Sequence, residues 1–77
     1  MKSVTIFLDT IEKVRSFVNT VSRQDGDFDL VSERYVIDAK SIMGIFSLNL
    51  GKPLRLDIHN VENYDAVIAE LKDFIVE

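Results

Sequence analysis

A serine that follows a lysine and precedes an oily surface is the arrangement in this sequence best suited to chemistry. It lies in the run Asp38-Ala39-Lys40-Ser41-Ile42-Met43-Gly44-Ile45-Phe46-Ser47-Leu48. Ser41 falls at the expected first turn of a short helix. Helix starts favour negative charge, so a phosphoryl group on Ser41 would sit well there, with Lys40 beside it. The same serine reads more simply as a helix cap, a role that contributes about 1 kcal/mol. Ile42, Met43, Ile45 and Phe46 are too many apolar side chains for a two-turn helix with one buried face. Ile45 and one other belong in a core, and the rest form a candidate contact patch.

Other reactive side chains are sparse. There is one histidine, His59, expected at the surface near a strand end, and there is no cysteine. Disulfides, thiol chemistry and cysteine-based zinc sites are therefore excluded. Asp25, Asp27 and Asp29 alternate along a turn and strand without the glutamate of a calcium loop, which reads as a solvated edge. No metal or cofactor is implied.

Thirteen acids against nine bases give a net charge of −4 across 77 residues. That balance disfavours direct nucleic-acid binding, which needs a basic surface. No apolar run approaches the roughly 20 residues of a membrane span, and no signal-peptide pattern opens the chain. The expectation is one cytoplasmic domain, residues 1–77, with 47% hydrophobic residues to build its core.

The elements that must position Ser41 follow from periodicity. Ser3 to Leu8 alternates as a strand, with Val4, Ile6 and Leu8 on one face. Asp9 with Glu12 has capping-box spacing, and Thr10 is the alternative cap. Ile11, Val14, Phe17, Val18 and Val21 share one face of the helix that follows, which ends near Arg23. Phe28–Val31 and Tyr35–Ala39 read as a hairpin around Ser32-Glu33-Arg34, with Tyr35 and Tyr64 in core or hairpin packing. Ser41–Leu48 is the short helix, broken by Asn49-Leu50-Gly51-Lys52-Pro53. Leu54, Leu56 and Ile58 alternate in a last strand. Asn60 is a good cap for a final helix striped by Val61, Tyr64, Val67, Ile68, Leu71 and Ile75. The order βαββαβα with one hairpin predicts an α+β fold, helices on one face of an antiparallel sheet.

The run Asp38-Ala39-Lys40-Ser41-Ile42-Met43-Gly44, with Ser47-Leu48 close behind, resembles the segment around the regulatory serine of HPr, the small phosphocarrier of the bacterial sugar phosphotransferase system. The match extends in pattern from about Asp9 onward. It implies an open-faced β-sandwich: four antiparallel strands covered on one face by three helices. It further implies that Ser41 is a regulatory phosphorylation site and that Lys40, Ile42, Met43 and Phe46 lie at a partner-docking surface. The family's Gly-aliphatic-His-Ala-Arg-Pro-Ala motif projects onto Leu8-Asp9-Thr10-Ile11-Glu12-Lys13-Val14. Thr10 stands where the phosphorylatable histidine would be and Glu12 where the arginine would be. A threonine hydroxyl needs a base to become nucleophilic, and acids at this helix start repel a phosphoryl donor. The chain is thus similar to histidine-lacking catabolite-repression paralogues of HPr, non-enzymatic regulators whose partners include an HPr kinase/phosphorylase and a transcription regulator. Two other readings stay open: a phosphocarrier using a different residue, and a structural interaction module unrelated to sugar transport.

Overall fold

The computed structural model describes residues 2–33, 35–48 and 50–76. Arg34 of the expected hairpin turn and Asn49 of the expected helix-breaking loop lie outside the described residues. The elements run β1 (Lys2–Ile6), α1 (Ile11–Ser22), β2 (Asp27–Ser32), β3 (Tyr35–Asp38), α2 (Ile42–Phe46), β4 (Leu54–His59) and α3 (Tyr64–Leu71). The four strands form one antiparallel sheet in the order β1-β4-β2-β3. This is the expected α+β open-faced sandwich.

Alternation along the strands divides the sheet into two faces. Val4 pairs with Leu56, Leu56 with Leu30, and Leu30 with Ile37, giving one apolar row across all four strands. Ile6, Phe28, Leu30, Leu54, Leu56 and Ile58 are buried on that face against Val14, Phe17 and Val21 of α1, Ile45 of α2, and Val67 and Leu71 of α3. The opposite face carries the polar row Ser3, Asp57, Asp29, Asp38, also directly paired strand to strand.

Several boundaries differ from the sequence expectation, each for a tertiary reason. β1 ends at Ile6, which pairs with Leu54, the first residue of β4; on the outer side Phe7 N–H then donates to the Phe74 carbonyl at 2.9 Å. Thr10, not Asp9, caps α1; its hydroxyl accepts from Lys13 N–H at 3.1 Å, while Asp9 pairs with the Lys13 ammonium at 3.2 Å. Ile11 is left exposed at the first helical position, and Thr20 is buried on the helix face instead, its hydroxyl donating to the Ser16 carbonyl. Asn60 does not cap the final helix. It adopts a left-handed φ of 58° just after β4, a conformation asparagine tolerates, and its amide donates to Asp27 at 2.7 Å. Asn63 is the cap, accepting from Ala66 N–H at 3.1 Å.

The helical stripe also stops short. α3 ends at Leu71; Ile75 bridges to Ile6 beside β1, and Phe74 enters the core. The Phe74 and Phe17 rings meet edge to face, centroids 5.5 Å apart at 83°. Tyr35 is exposed, contrary to the packing expected of it, whereas Tyr64 packs against the core. Asp27 and Asp29 lie on β2, an inner strand, so their exposure comes from the open face of the sheet and not from an edge.

Candidate docking site on the short helix

The α2 segment is built residue by residue from local and tertiary demands. The chain leaves β3 through a turn in which Ser41 N–H donates to the Asp38 carbonyl at 2.9 Å and Lys40 N–H to the Asp38 carboxylate at 2.9 Å. Ser41 then caps the helix, its hydroxyl accepting from Gly44 N–H at 3.3 Å. Its side chain is at the surface, open to an enzyme or a partner.

Lys40, grouped with the docking residues in the sequence reading, has an internal task. Its ammonium donates to the carbonyls of Gln24 and Gly26 at 2.9 and 3.1 Å and stands 5.7 Å from the centre of the Phe28 ring. It thereby fixes the turn between α1 and β2. Gly26 itself has φ of +128°, and a Cβ there would fall 2.5 Å from Val61 and 2.9 Å from the His59 carbonyl oxygen, so only glycine fits. Sequence reasoning missed this role because it joins residues 14 and 16 positions apart.

Gly44 is likewise a packing residue. A Cβ on it would approach Ile37 Cγ2 to 2.7 Å, so the missing side chain lets α2 lie directly on β3. Ile45 is fully buried, and Ile42 packs partly against the core. What remains is Met43, 76% exposed, and Phe46, 39% exposed. These two side chains contribute least to the fold, and they sit on the same short helix as Ser41.

The start of α1 is built around its cap. The Thr10 hydroxyl is engaged as the cap acceptor, Asp9 is paired with Lys13, and Glu12 lies in the first turn. His59 lies elsewhere, on β4, its Nε2 3.7 Å from Asp29. The most strongly held ionisable group is Asp57 on the open face. The Ser3 hydroxyl donates to it at 2.6 Å and Arg55 at 3.0 and 3.2 Å. The Ser3 bond, with Arg55 and His59 adding to it, holds the Asp57 carboxyl below its ordinary range despite burial. Among the described residues no cluster of potential metal ligands forms, and no helix is long and apolar enough to cross a membrane.

The four-stranded antiparallel sheet covered by three helices is an HPr-like fold. Among solved structures the chain is similar to HPr-C-His from Thermoanaerobacter tengcongensis, with a TM-score of 0.79 and 29% identity over 95% of this chain and 89% of that one. No protein-family model matches the sequence, and no curated protein matches it.

Proposed function

We propose that this chain is an HPr-like regulatory adaptor that works by protein docking at α2 and does not carry phosphate on a histidine. The observation that carries this reading is Met43: it is 76% exposed on α2, whereas Lys40 and Ser41 just before the helix and Gly44 and Ile45 within it all have internal roles. Phe46 and the outer part of Ile42 extend the apolar surface, and large exposed apolar patches mark interaction sites. A hollow of about 390 Å³ opens at the end of α2, walled in part by Ser47, Leu48 and Tyr35, and offers a socket for a partner side chain.

Ser41 is the proposed control point. Phosphorylation would place about two negative charges beside the patch, favouring arginine-bearing partners and repelling acidic ones. The similarity to HPr supports an HPr kinase/phosphorylase as the modifying enzyme and a transcription regulator as the docking class. Thr10, at the position of the family's histidine, is a structural cap in this reading. The experiment is incubation with an HPr kinase and ATP, read by intact mass in wild type and Ser41→Ala. A gain of one phosphate in wild type alone supports the proposal; its absence, with a control HPr fully modified, removes Ser41 from it.

A further inference from the structure

The two edges of the sheet are treated differently. At the C-terminal end of β1 the chain covers its own edge: Val76 N–H donates to the Thr5 carbonyl at 3.0 Å and, just past the strand, Phe7 N–H donates to the Phe74 carbonyl at 2.9 Å, while Ser3 at the other end has no such cover among the described residues. β3 has no such cover among the described residues. The Ala39 N–H bond to the Phe28 carbonyl fixes the phase of the β2–β3 ladder. In an antiparallel pair the hydrogen-bonded positions alternate, so Ile37 and Tyr35 face β2 while Val36 and Asp38 face outward. The Asp38 carbonyl accepts from Ser41 N–H, which closes the edge at that end. One complete outward pair remains, the N–H and C=O of Val36.

The side chains around that pair are apolar on both faces. Val36 is 67% exposed on the open face, and Tyr35 is 63% exposed on the helix-covered face. Natural edge strands are protected by shortness, charge, proline or a bulge; β3 is only four residues long and ends in the exposed Asp38, while its Tyr35-Val36-Ile37 stretch carries neither charge nor proline. We infer that the β3 edge is a self-association surface on which a second copy of this chain pairs antiparallel, with Val36 opposite Val36 across a two-fold axis.

A second copy fits this edge because the edge is self-complementary. One donor and one acceptor on the same residue are satisfied together when that residue meets itself, the requirement of an isologous contact. The register sets Tyr35 opposite Ile37 of the second copy, so each exposed ring gains an apolar neighbour. Asp38 and its counterpart end up four residues apart along the pair, about 13 Å, beyond the screening length at physiological salt. A longer foreign strand gains little, because the ladder cannot continue past the closed Asp38 carbonyl. The interface is small against the roughly 1,200 Å² of stable complexes, so the dimer is weak and forms near millimolar protein. The pairing uses neither Met43 nor Phe46 of the α2 patch, although Tyr35 borders both surfaces.

The test is sedimentation equilibrium of the whole chain from about 10 µM to about 2 mM, with Val36 amide exchange followed over the same range. Wild type should move from the mass of one chain toward two, with Val36 exchange slowing about twofold at the top of the range. Val36→Lys should stay monomeric. Val36→Pro, which removes only the outward N–H and leaves the bonds of Tyr35 and Ile37 to β2, should do the same. Melting curves of both variants verify that they are folded. A wild type that stays monomeric throughout overturns the inference. So does a dimer indifferent to both substitutions, or one whose concentration-dependent shifts fall on Met43 and Phe46 instead of Val36.

Discussion

Gly44 on α2 and Ile37 on β3 are in such close approach that an added methyl on the glycine would sit 2.7 Å from Ile37 Cγ2. The contact seats α2 on the sheet and so sets the height of Met43 and Phe46 above it. Overpacking costs about 1–3 kcal/mol, and the better helix propensity of alanine returns about 1. Gly44→Ala should therefore lower stability in chemical denaturation. In a double-mutant cycle, Ile37→Ala should cost less in the Gly44→Ala background than in wild type. Additive costs would disprove the contact.

Ser41 and Met43 should separate stability from binding. Ser41→Ala should cost about 1 kcal/mol through loss of the cap, and Ser41→Asp should be nearly neutral because aspartate caps equally well. Met43→Ala should leave stability within about 0.5 kcal/mol. Calorimetry with a docking partner should show both Ser41→Asp and Met43→Ala altering affinity. If neither does, the patch is not the docking surface.

Lys40 should behave as a structural residue. Lys40→Ala leaves the Gln24 and Gly26 carbonyls without their charged donor, a loss of about 1–2 kcal/mol at this half-buried position. It should also raise amide exchange in the turn between α1 and β2. A stability change below about 0.5 kcal/mol, with partner binding lost, would return Lys40 to the docking surface.

Acid should weaken the open face of the sheet. The Asp57 carboxyl is held below the ordinary carboxylate range in the folded state, chiefly through the Ser3 hydrogen bond. A depressed carboxyl contributes stability that is present above the unfolded pKa and lost as pH falls through the folded one. The domain should thus lose stability below about pH 4. Carboxyl-detected NMR titration should show the Asp57 midpoint moving upward in Ser3→Ala. An unchanged midpoint would mean that the Ser3 bond does not hold the charge.

Phe74→Ala should cost about 3–5 kcal/mol, as a large buried aromatic does, and it should loosen the terminal segment from β1. Unchanged melting would remove Phe74 from the core.

The parts of this structure legible in the sequence are those governed by local period. Leu54, Leu56 and Ile58 alternate strictly, and β4 has the expected bounds of Leu54–His59. Val14, Phe17 and Val21 repeat at helical spacing and are buried. The misread parts turn on distant partners. Asn60 and Asn63 are equally good caps by residue type; what decides between them is the Asn60 bond to Asp27, 33 positions away. Phe74 and Ile75 continue a helical stripe on paper, but pairing with β1 draws the chain off the helix. At the candidate site the Lys40-Ser41-Ile42-Met43-Gly44 run is conspicuous in the sequence. Its division into packing residues and one bare methionine depends on Gln24, Gly26 and Ile37, which no local pattern links to it.

The closure of β1 by Phe74–Val76 also sets a timetable. β1 leaves the ribosome before every other strand, yet its ladder partner is β4 and its outer cover lies beyond α3. Such non-local pairing makes folding slow relative to helical domains of similar size. During synthesis β1 waits for β4 and for the Phe74–Val76 segment, whereas β2 and its partner β3 emerge one after the other. The β2–β3 pair is therefore the sequence-local part of the sheet, and the sheet is complete only once β4 and the Phe74–Val76 cover are available.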